Sequence, residues 1–397
     1  MDARWLALIV LTLARASMGF QFQAPASVSP LLREQLALGY AEIGFLIGLY
    51  MLPGIVLAIP GGFLGRRFGD TRMVTVGLFL MVAGGAVVGV ADTYSALVAG
   101  RLISGIGAVL LNVLMTKMIT DWFAEREIVL AMAVFMNAFP IGIGLALLSL
   151  SWLAESAGWP VSFYATSAAA SLSLLLLMLV YRPHPNDGGL DAEGSRAERI
   201  ARQEIGLVCI AGMIWGLYNG AFTITFGFTP LLLVETGLSV GEAGFPVGVA
   251  TWLTVASVQA GGLIVQRWGR ANVIMLTGVI VWGACLLLLP SASPTAALVV
   301  AGLFLGLPVG IIVSMPAGVL QPASRAIGMG LFFTWLYIGH AVLPPIAGWL
   351  QDVSGSAAMP FYFASALVLT IVPLFAAFRS LQHHLLHAAS CSGDERG

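Results

Sequence analysis

The feature that most constrains this chain is a series of long apolar stretches. A helix needs about 20 residues to cross roughly 30 Å of hydrocarbon. Because backbone polar groups must be satisfied inside lipid, we predict an all-α integral membrane protein with twelve transmembrane helices. The predicted spans are residues 5–26, 40–62, 73–90, 95–116, 128–153, 161–181, 205–228, 243–265, 273–289, 296–315, 327–349 and 361–378.

The composition indicates that this chain is solvated by a bilayer. Hydrophobic residues make up 59% of it and charged residues 9%, against roughly 25% charged residues in soluble domains. A formal net charge of −1 gives no basis for a nucleic-acid partner. The three cysteines form no disulfide or metal-ligand pattern, because two lie within apolar stretches. We therefore expect no metal and no cofactor.

Basic residues of the short loops predict the orientation. With both termini cytoplasmic, fifteen of the eighteen basic residues fall on the cytoplasmic side and only Arg33 in an outer loop. We therefore predict a multi-pass protein of the inner membrane. The cytoplasmic set is Arg4, Arg66, Arg67, Arg72, Lys117, Arg126, Arg182, Arg196, Arg199, Arg202, Arg267, Arg270, Arg325, Arg379 and Arg396.

One long hydrophilic segment divides the chain into two related parts. We predict an N-terminal six-helix bundle (1–182), a cytoplasmic linker (183–204), a C-terminal six-helix bundle (205–379) and a cytoplasmic tail (380–397). A shift of 200 positions pairs Glu42 with Glu242 and Arg67 with Arg267 without a gap. The charged positions match as well as the apolar ones, so helix seven corresponds to helix one. Parallel repeats of this kind place a binding site at the midplane between the halves.

The loop between helices two and three resembles the cytoplasmic signature loop of the major facilitator superfamily. Residues 62–72 read GFLGRRFGDTR, and residues 262–270 read GLIVQRWGR in the equivalent loop of the second half. The resemblance implies the major facilitator fold, with two pseudo-symmetric six-helix bundles and a conformational gating loop. It assigns that loop to Gly62, Arg66, Arg67, Gly69, Asp70, Arg72, Gly262, Arg267, Gly269 and Arg270.

The chain departs from this family pattern at one position. Where the family has an Asp, this sequence has Arg66 in the first half and Gln266 in the second. The family uses that carboxylate in a contact that stabilises the outward-open form. Here the contact must be absent or rebuilt from Asp70, Asp121 or Glu125, and the Arg cluster is alternatively a topology signal alone.

Two arginines lie inside predicted helices. Arg15 is eleven positions beyond Arg4, which places it roughly 16 Å deep. A central Arg costs at least about 2.5 to 3.5 kcal/mol on insertion scales, so it should face a cavity or a polar partner. Arg101 lies nearer a helix end and shares a face with Asn112, so it either joins the site or reaches the outer interface. All nineteen acidic residues fall in loops, tails or helix ends, which favours an anion.

Helical spacing predicts the rest of the binding site. Met18 and Phe22 share the face of Arg15, and the 200-residue shift relates that face to an aromatic one in helix seven. This arrangement suits a flat or delocalised anion, although aromatic stripes also serve ordinary packing. The predicted substrate-binding residues are Arg15, Met18, Phe22, Gln23, Arg101, Asn112, Asn137, Trp215, Tyr218, Asn219, Trp252 and Gln259. The amides alternatively act as contacts between helices.

His340 is the histidine that falls within a predicted helix. Histidine has an ordinary pKa of about 6.5, so this residue is a candidate for carrying a coupled proton. The alternative is a neutral side chain that bonds to a neighbouring helix.

These features favour a secondary active transporter of a small anionic or polar organic solute, with proton coupling such as symport left open. No Walker loop and no cluster of catalytic side chains is found, so we do not expect an enzyme. The first-helix Arg, Tyr218-Asn219-Gly220 and Thr229-Pro230-Leu231 resemble the cyanate and nitroimidazole permease group. Proton-linked efflux of lipophilic compounds and a membrane sensor remain alternatives. We expect a monomer whose partners are the solute and the bilayer.

Overall fold

The structure is a bundle of α-helices with the predicted number of membrane spans. The computed structural model describes residues 3–123, 127–184, 202–291, 293–321 and 324–394. Within these residues twelve helical segments are long and apolar enough to cross a membrane, as predicted. The helices are α1 (Ala3–Ser27), α2 (Ser29–Leu36), α3 (Tyr40–Leu49), α4 (Gly54–Phe68), α5 (Asp70–Gly89), α6 (Tyr94–Phe123), α7 (Ile128–Ala157), α8 (Trp159–Leu179), α9 (Arg202–Glu235), α10 (Val240–Trp268), α11 (Ala271–Leu288), α12 (Pro294–Leu305), α13 (Val309–Ser314), α14 (Arg325–Ser354) and α15 (Met359–Asp394).

Two predicted helices are interrupted at prolines. The predicted span 40–62 is divided into α3 and α4, with Pro53 directly before α4. The predicted span 296–315 is divided into α12 and α13, with Pro308 directly before α13. Proline has no backbone N–H and its ring opposes the preceding turn, which explains the breaks. Length and apolar composition alone could not locate them.

The first predicted bundle ends close to a helix end in the structure, and the predicted C-terminal tail begins as a helix. α8 ends at Leu179, close to the predicted end of the first bundle. Residues 185–201, most of the predicted linker, lie outside the described residues. At the other end α15 continues to Asp394, so the first part of the predicted tail is helical.

The 200-residue repeat is visible in the way equivalent helices begin. The Gly39 N–H donates to Glu42 Oε2 at 2.9 Å before α3. The Ser239 N–H donates to Glu242 Oε2 at 2.8 Å before α10. In each case the carboxylate three positions into the helix satisfies the N–H at its start. The two six-helix halves are therefore related in structure as well as in sequence.

The halves meet along two symmetry-related helix pairs, α3 with α14 and α7 with α10. A Cβ atom added at Gly44 would lie 2.3 Å from the Pro344 carbonyl oxygen, and one added at Gly244 would lie 2.3 Å from that of Leu147. Only glycine allows such close approach of two backbones. The two contacts are at equivalent positions and join opposite halves.

Polar contacts also join the halves at the side that we call the far side, formed by the loops opposite the chain termini. Asp352 Oδ1 accepts the Tyr40 N–H at 2.9 Å, and its Oδ2 accepts the Ala41 N–H at 2.8 Å. Glu155 Oε2 accepts the Gly241 N–H at 2.7 Å. Each carboxylate belongs to one half and caps a helix of the other half. The far side is therefore closed.

On the side of the termini, ion pairs between described residues lie within one half. Arg4 lies 3.2 Å from Glu127, and Lys117 pairs with Asp70 and, at 3.2 Å, with Asp121. All of these residues belong to the first half. This side therefore differs from the far side, where the carboxylates described above connect the two halves.

Candidate binding cavity

A cavity of about 680 Å³ lies between the two halves. Its lining begins near the middle of the bundle and reaches Met132, one turn into α7, and Ser314, the last residue of α13. Both of these positions are near the side of the termini. Among the described residues, none from a far-side loop lines the cavity. The volume falls in the ordinary range for small-molecule sites, and the cavity extends toward one side of the bundle.

Arg15 lies in the middle of α1 and lines the cavity. Its Nη1 donates to Asn112 Oδ1 at 2.7 Å, and its Nη2 contacts the Met136 sulfur at 3.5 Å. The guanidinium carbon lies 4.6 Å from the centre of the Phe135 ring. None of these partners carries a negative charge, and no Asp or Glu is found among the described lining residues. A guanidinium stays protonated in proteins, and that of Arg15 has no anionic acceptor among these partners.

Asn112 connects this arginine to the opposite half. While its oxygen accepts from Arg15, its Nδ2 donates to the Tyr337 hydroxyl at 3.0 Å. Tyr337 belongs to α14 and lines the cavity. The three side chains therefore form one chain of polar contacts from α1 through α6 to α14.

Arg101 is in a different environment, because it is buried and each of its three nitrogens has a backbone partner. Its three nitrogens donate to the carbonyl oxygens of Leu46 at 3.1 Å, Gln21 at 2.9 Å and Phe22 at 3.2 Å. The Gln21 carbonyl is available because Pro25, four residues on, has no N–H to donate. Arg101 therefore holds α1 and α3 together. Its guanidinium group lies neither in the cavity nor at the outer interface.

The aromatic residues of α9 form a packed stack beside the cavity. The Trp215 ring lies 5.4 Å from that of Tyr218 at an interplanar angle of 13°, and 6.1 Å from that of Phe332 at 7°. The Tyr218 hydroxyl donates to the Leu305 carbonyl at 2.8 Å. These rings are held in place before any ligand binds.

Two further groups of polar residues line the cavity. Gln259 Nε2 lies 3.3 Å from Asn137 Oδ1, which joins α10 to α7 across the halves. Asn219 Nδ2 donates to the Trp215 carbonyl at 2.7 Å, within its own helix. These amides combine the two roles that the sequence left open, since they line the cavity and also make contacts within the bundle.

His340 lies on α14, where it is buried and lines the cavity. Its Nδ1 is 2.6 Å from the Thr223 hydroxyl of α9. Its ring meets the Phe22 ring edge to face, with 5.5 Å between centres. Among the described residues, the hydrogen-bond partner of the imidazole is this neutral hydroxyl.

Most of the predicted site residues are brought together and a few are not. Phe22 is buried against His340 just outside the lining. Gln23 donates to the Phe226 carbonyl at 3.0 Å, which is a contact between the halves. Trp252 is 40% exposed and packs against Gly144 rather than lining the cavity. The predicted residues that do line it are Arg15, Met18, Asn112, Asn137, Trp215, Tyr218, Asn219, Gln259 and His340.

Several lining residues were not predicted from the sequence. Tyr337 is one helical turn before His340, and that spacing was the available signal for it. Met132 and Met136 are also one turn apart on α7, but methionine in an apolar helix carries no pattern that separates a cavity from lipid or core. The remaining examples include Met51, Phe139, Thr254, Val309, Ser314 and Phe333.

The signature loops lie on the side of the termini. Asp70 is buried and pairs with Lys117, within the first half. Gly69 (φ 93°) and Gly269 (φ 64°) both have the positive φ that favours glycine at a tight turn. Gly62 and Arg66 fall in α4, but their surroundings lie outside the described residues. The remaining arginines of the loops, all exposed, are Arg67, Arg72, Arg267 and Arg270, and Gly262 has no neighbour within 4 Å of an added Cβ.

Comparison with known proteins gives a consistent result. The model of the Major Facilitator Superfamily matches residues 10–315 and 207–390. The Escherichia coli cyanate transport protein CynX is 21% identical and covers 92% of this chain and 95% of its own length. The Bacillus subtilis probable galactarate/D-glucarate transporter GudP is 24% identical, with 92% and 90% covered. The crystal structure of a D-xylose-proton symporter has a TM-score of 0.79 at 16% identity, covering 94% of this chain and 97% of that one.

Proposed function

This chain belongs to the Major Facilitator Superfamily, and we propose that it is a secondary active transporter that moves a small organic anion across the inner membrane. In this proposal the solute binds in the central cavity with its negative charge at Arg15. Access to the cavity alternates between the two sides of the membrane as the halves rock against each other.

The observation that carries this proposal is the environment of Arg15. Its polar contacts in the structure are an amide oxygen at 2.7 Å and a thioether sulfur at 3.5 Å. A buried charge normally has a charged partner or a bound counter-ion. A carboxylate from the solute supplies that counter-ion, and it binds a guanidinium through two parallel hydrogen bonds.

The closed far side supports alternating access. The bias of basic loop residues predicts that the side of the termini is cytoplasmic. With that orientation, the structure corresponds to a state that is closed outside and accessible from inside. The contacts of Asp352 and Glu155 with the opposite half stabilise this state.

The relatives also support an anion. One is described as a transporter of cyanate and another as a probable transporter of galactarate and D-glucarate. A third, from Agrobacterium vitis, is a putative tartrate transporter that is 26% identical over 62% of this chain. All of these named solutes are anions at neutral pH, in agreement with a positively charged cavity.

One observation favours a second candidate function, the efflux of lipophilic compounds. Much of the cavity lining is apolar, with methionine, phenylalanine and valine side chains predominating. Transport of a neutral or cationic compound does not need Arg15, and so the same experiment separates the two functions.

We expect Arg15→Ala to lower anion transport at least tenfold, because a charge-assisted hydrogen bond contributes about 1.5–3 kcal/mol. The measurement is counterflow of anions in proteoliposomes, with expression and helix content followed in parallel. Arg182→Ala, at an exposed arginine beyond the end of α8, is the matched control and should transport normally. Wild-type rates for Arg15→Ala would disprove the anion site, and Arg15-independent transport of a lipophilic drug would favour efflux.

A further inference from the structure

The described residues of the cavity lining provide one fixed charge, that of Arg15, within a largely apolar surface. We infer that the solute is a monovalent organic anion with a compact apolar body, of the size of an aromatic or branched monocarboxylate, and not a polyhydroxylated diacid. This inference rests on the proposed function and specifies the chemical class of its solute.

The charge of the cavity lining suits a solute with one carboxylate. Arg15 offers five N–H donors; its Nη1 has a strong acceptor in Asn112, while the acceptor at Nη2 is a thioether sulfur, which is a weak one. This capacity suits one carboxylate. A second carboxylate finds no Lys or Arg among the described lining residues, and an uncompensated charge in such an environment costs several kcal/mol.

Each hydroxyl group of a solute requires a polar partner in the cavity when it leaves water. Most polar side chains of the lining already have one inside the protein. The Tyr218 hydroxyl donates to Leu305, Thr254 donates to Ala250 at 2.9 Å, and Gln259 contacts Asn137. The hydroxyl groups of Tyr218 and Thr254 have therefore used their one O–H donor inside the protein, so fewer donors remain for a chain of solute hydroxyls.

The apolar part of the cavity lining suits an apolar body on the solute. Four methionines line the cavity and all of them belong to the first half: Met18, Met51, Met132 and Met136. Methionine is flexible and polarisable, and it packs favourably against aromatic rings. Phe139, Phe222 and Phe333 complete an apolar surface around the charge. A ring or a branched chain attached to one carboxylate is complementary to both parts of this lining.

The test is counterflow in proteoliposomes containing the full-length chain, using four probes that separate charge from body. Benzoate has one charge and a flat apolar body, and benzamide has the same shape without the charge. Terephthalate adds a second carboxylate to the same ring, and D-galactarate has two carboxylates and a hydroxylated chain. We expect exchange of benzoate that depends on Arg15, at least tenfold weaker exchange of both diacids, and none of benzamide.

Two variants of one lining methionine test the apolar body separately. Met132→Leu keeps the volume and the apolar character, so it should lower benzoate exchange much less than Met132→Gln does. Met132→Gln has a similar shape but adds an amide that needs partners, so benzoate exchange should fall by at least fivefold. Equal rates for the two variants would overturn the assignment of an apolar body.

The outcomes also separate this inference from the proposed function. If D-galactarate or terephthalate exchanges as fast as benzoate and both depend on Arg15, the solute is an anion but the inferred class is wrong. If no anion shows exchange that depends on Arg15, the proposed function fails and the inference fails with it. If benzamide exchanges as well as benzoate, charge is irrelevant and both are overturned.

Discussion

At the scale of single residues, two arginines within neighbouring helices, Arg15 half-buried and Arg101 buried, have different roles because their neighbours differ. Arg101 donates from each of its three nitrogens to a backbone carbonyl oxygen. Arg15 has one amide oxygen and one thioether. An arginine inside an apolar stretch was the signal for both, although Arg101 lies nearer a helix end than Arg15. The distinguishing feature was Pro25, which frees a carbonyl of α1 for Arg101, and sequence reasoning did not use it.

His340 provides a prediction about pH at this scale. It lines the cavity and contacts the Thr223 hydroxyl at 2.6 Å. If the imidazole carries a coupled proton, His340→Gln should abolish the dependence of transport rate on pH. The measurement is the pH profile of anion counterflow and of uptake driven by a proton gradient.

The matched control for this prediction is Thr223→Val. It removes the hydrogen-bond partner of the imidazole while the titratable group remains, so the pH profile should shift but not disappear. An unchanged profile in His340→Gln would show that this histidine has a structural role only.

At the scale of helices, the first helix of each half crosses the fifth helix of that half at a glycine. A Cβ added at Gly142 of α7 would lie 2.1 Å from the Ala16 carbonyl oxygen of α1. One added at Gly339 of α14 would lie 2.0 Å from the Gly216 carbonyl oxygen of α9. The crossings are equivalent in the two halves, and each one positions cavity residues on adjacent turns, including Arg15 and His340.

We therefore expect Gly339→Ala to separate α14 from α9 and to destabilise the protein by about 1–3 kcal/mol, the usual cost of overpacking. Thermal unfolding in detergent should shift to lower temperature, and anion transport should decrease because Tyr337 and His340 move with α14. Gly206→Ala on α9 is the control, since an added Cβ there meets nothing within 4 Å. Its stability should equal or slightly exceed that of wild type, since alanine favours helix over glycine. Equal stability of the two variants would contradict the packing argument.

At the scale of the whole molecule, two carboxylates hold the far side closed in a symmetric way. Asp352, near the end of α14, caps the first turn of α3, and Glu155, near the end of α7, caps the first turn of α10. A carboxylate at a helix N-terminus satisfies free N–H groups and interacts favourably with the helix dipole. Both caps must break before the halves separate at this side.

The double variant Glu155→Gln and Asp352→Asn should therefore shift the population toward a state that is open at the far side. Hydrogen exchange should become faster at the starts of α3 and α10, and slower around Met132 and Ser314 as the opposite side closes. The measurement is hydrogen–deuterium exchange with mass spectrometry on the full-length protein.

The control is the double variant Glu42→Gln and Glu242→Gln. It weakens caps at the same two helix starts, but these caps lie within one half. It should speed local exchange without any change around Met132 and Ser314. If the cross-half variant gives the same result as this control, the carboxylates are local caps and do not hold the halves together.

The sequence by itself determined the number of spans, the internal repeat and the superfamily. These properties follow from length, apolar character and the order of charged and glycine positions, which can be read along one dimension. The repeat also related Arg15 to Trp215, and both of these residues line the cavity. Helical spacing could group Arg15 with Met18 but could not tell how each helix is rotated about its axis.

Only the tertiary structure decided which helix faces meet and which side of the bundle is closed. Arg101 could be assigned to α1 and α3 only after helices distant in the sequence were packed together. Met132, Met136 and Tyr337 became part of the site for the same reason. The physical cause is that the environment of a side chain in a membrane bundle is set by its neighbours, and those neighbours can be distant along the chain, as are Asn112 and Tyr337, 225 positions apart.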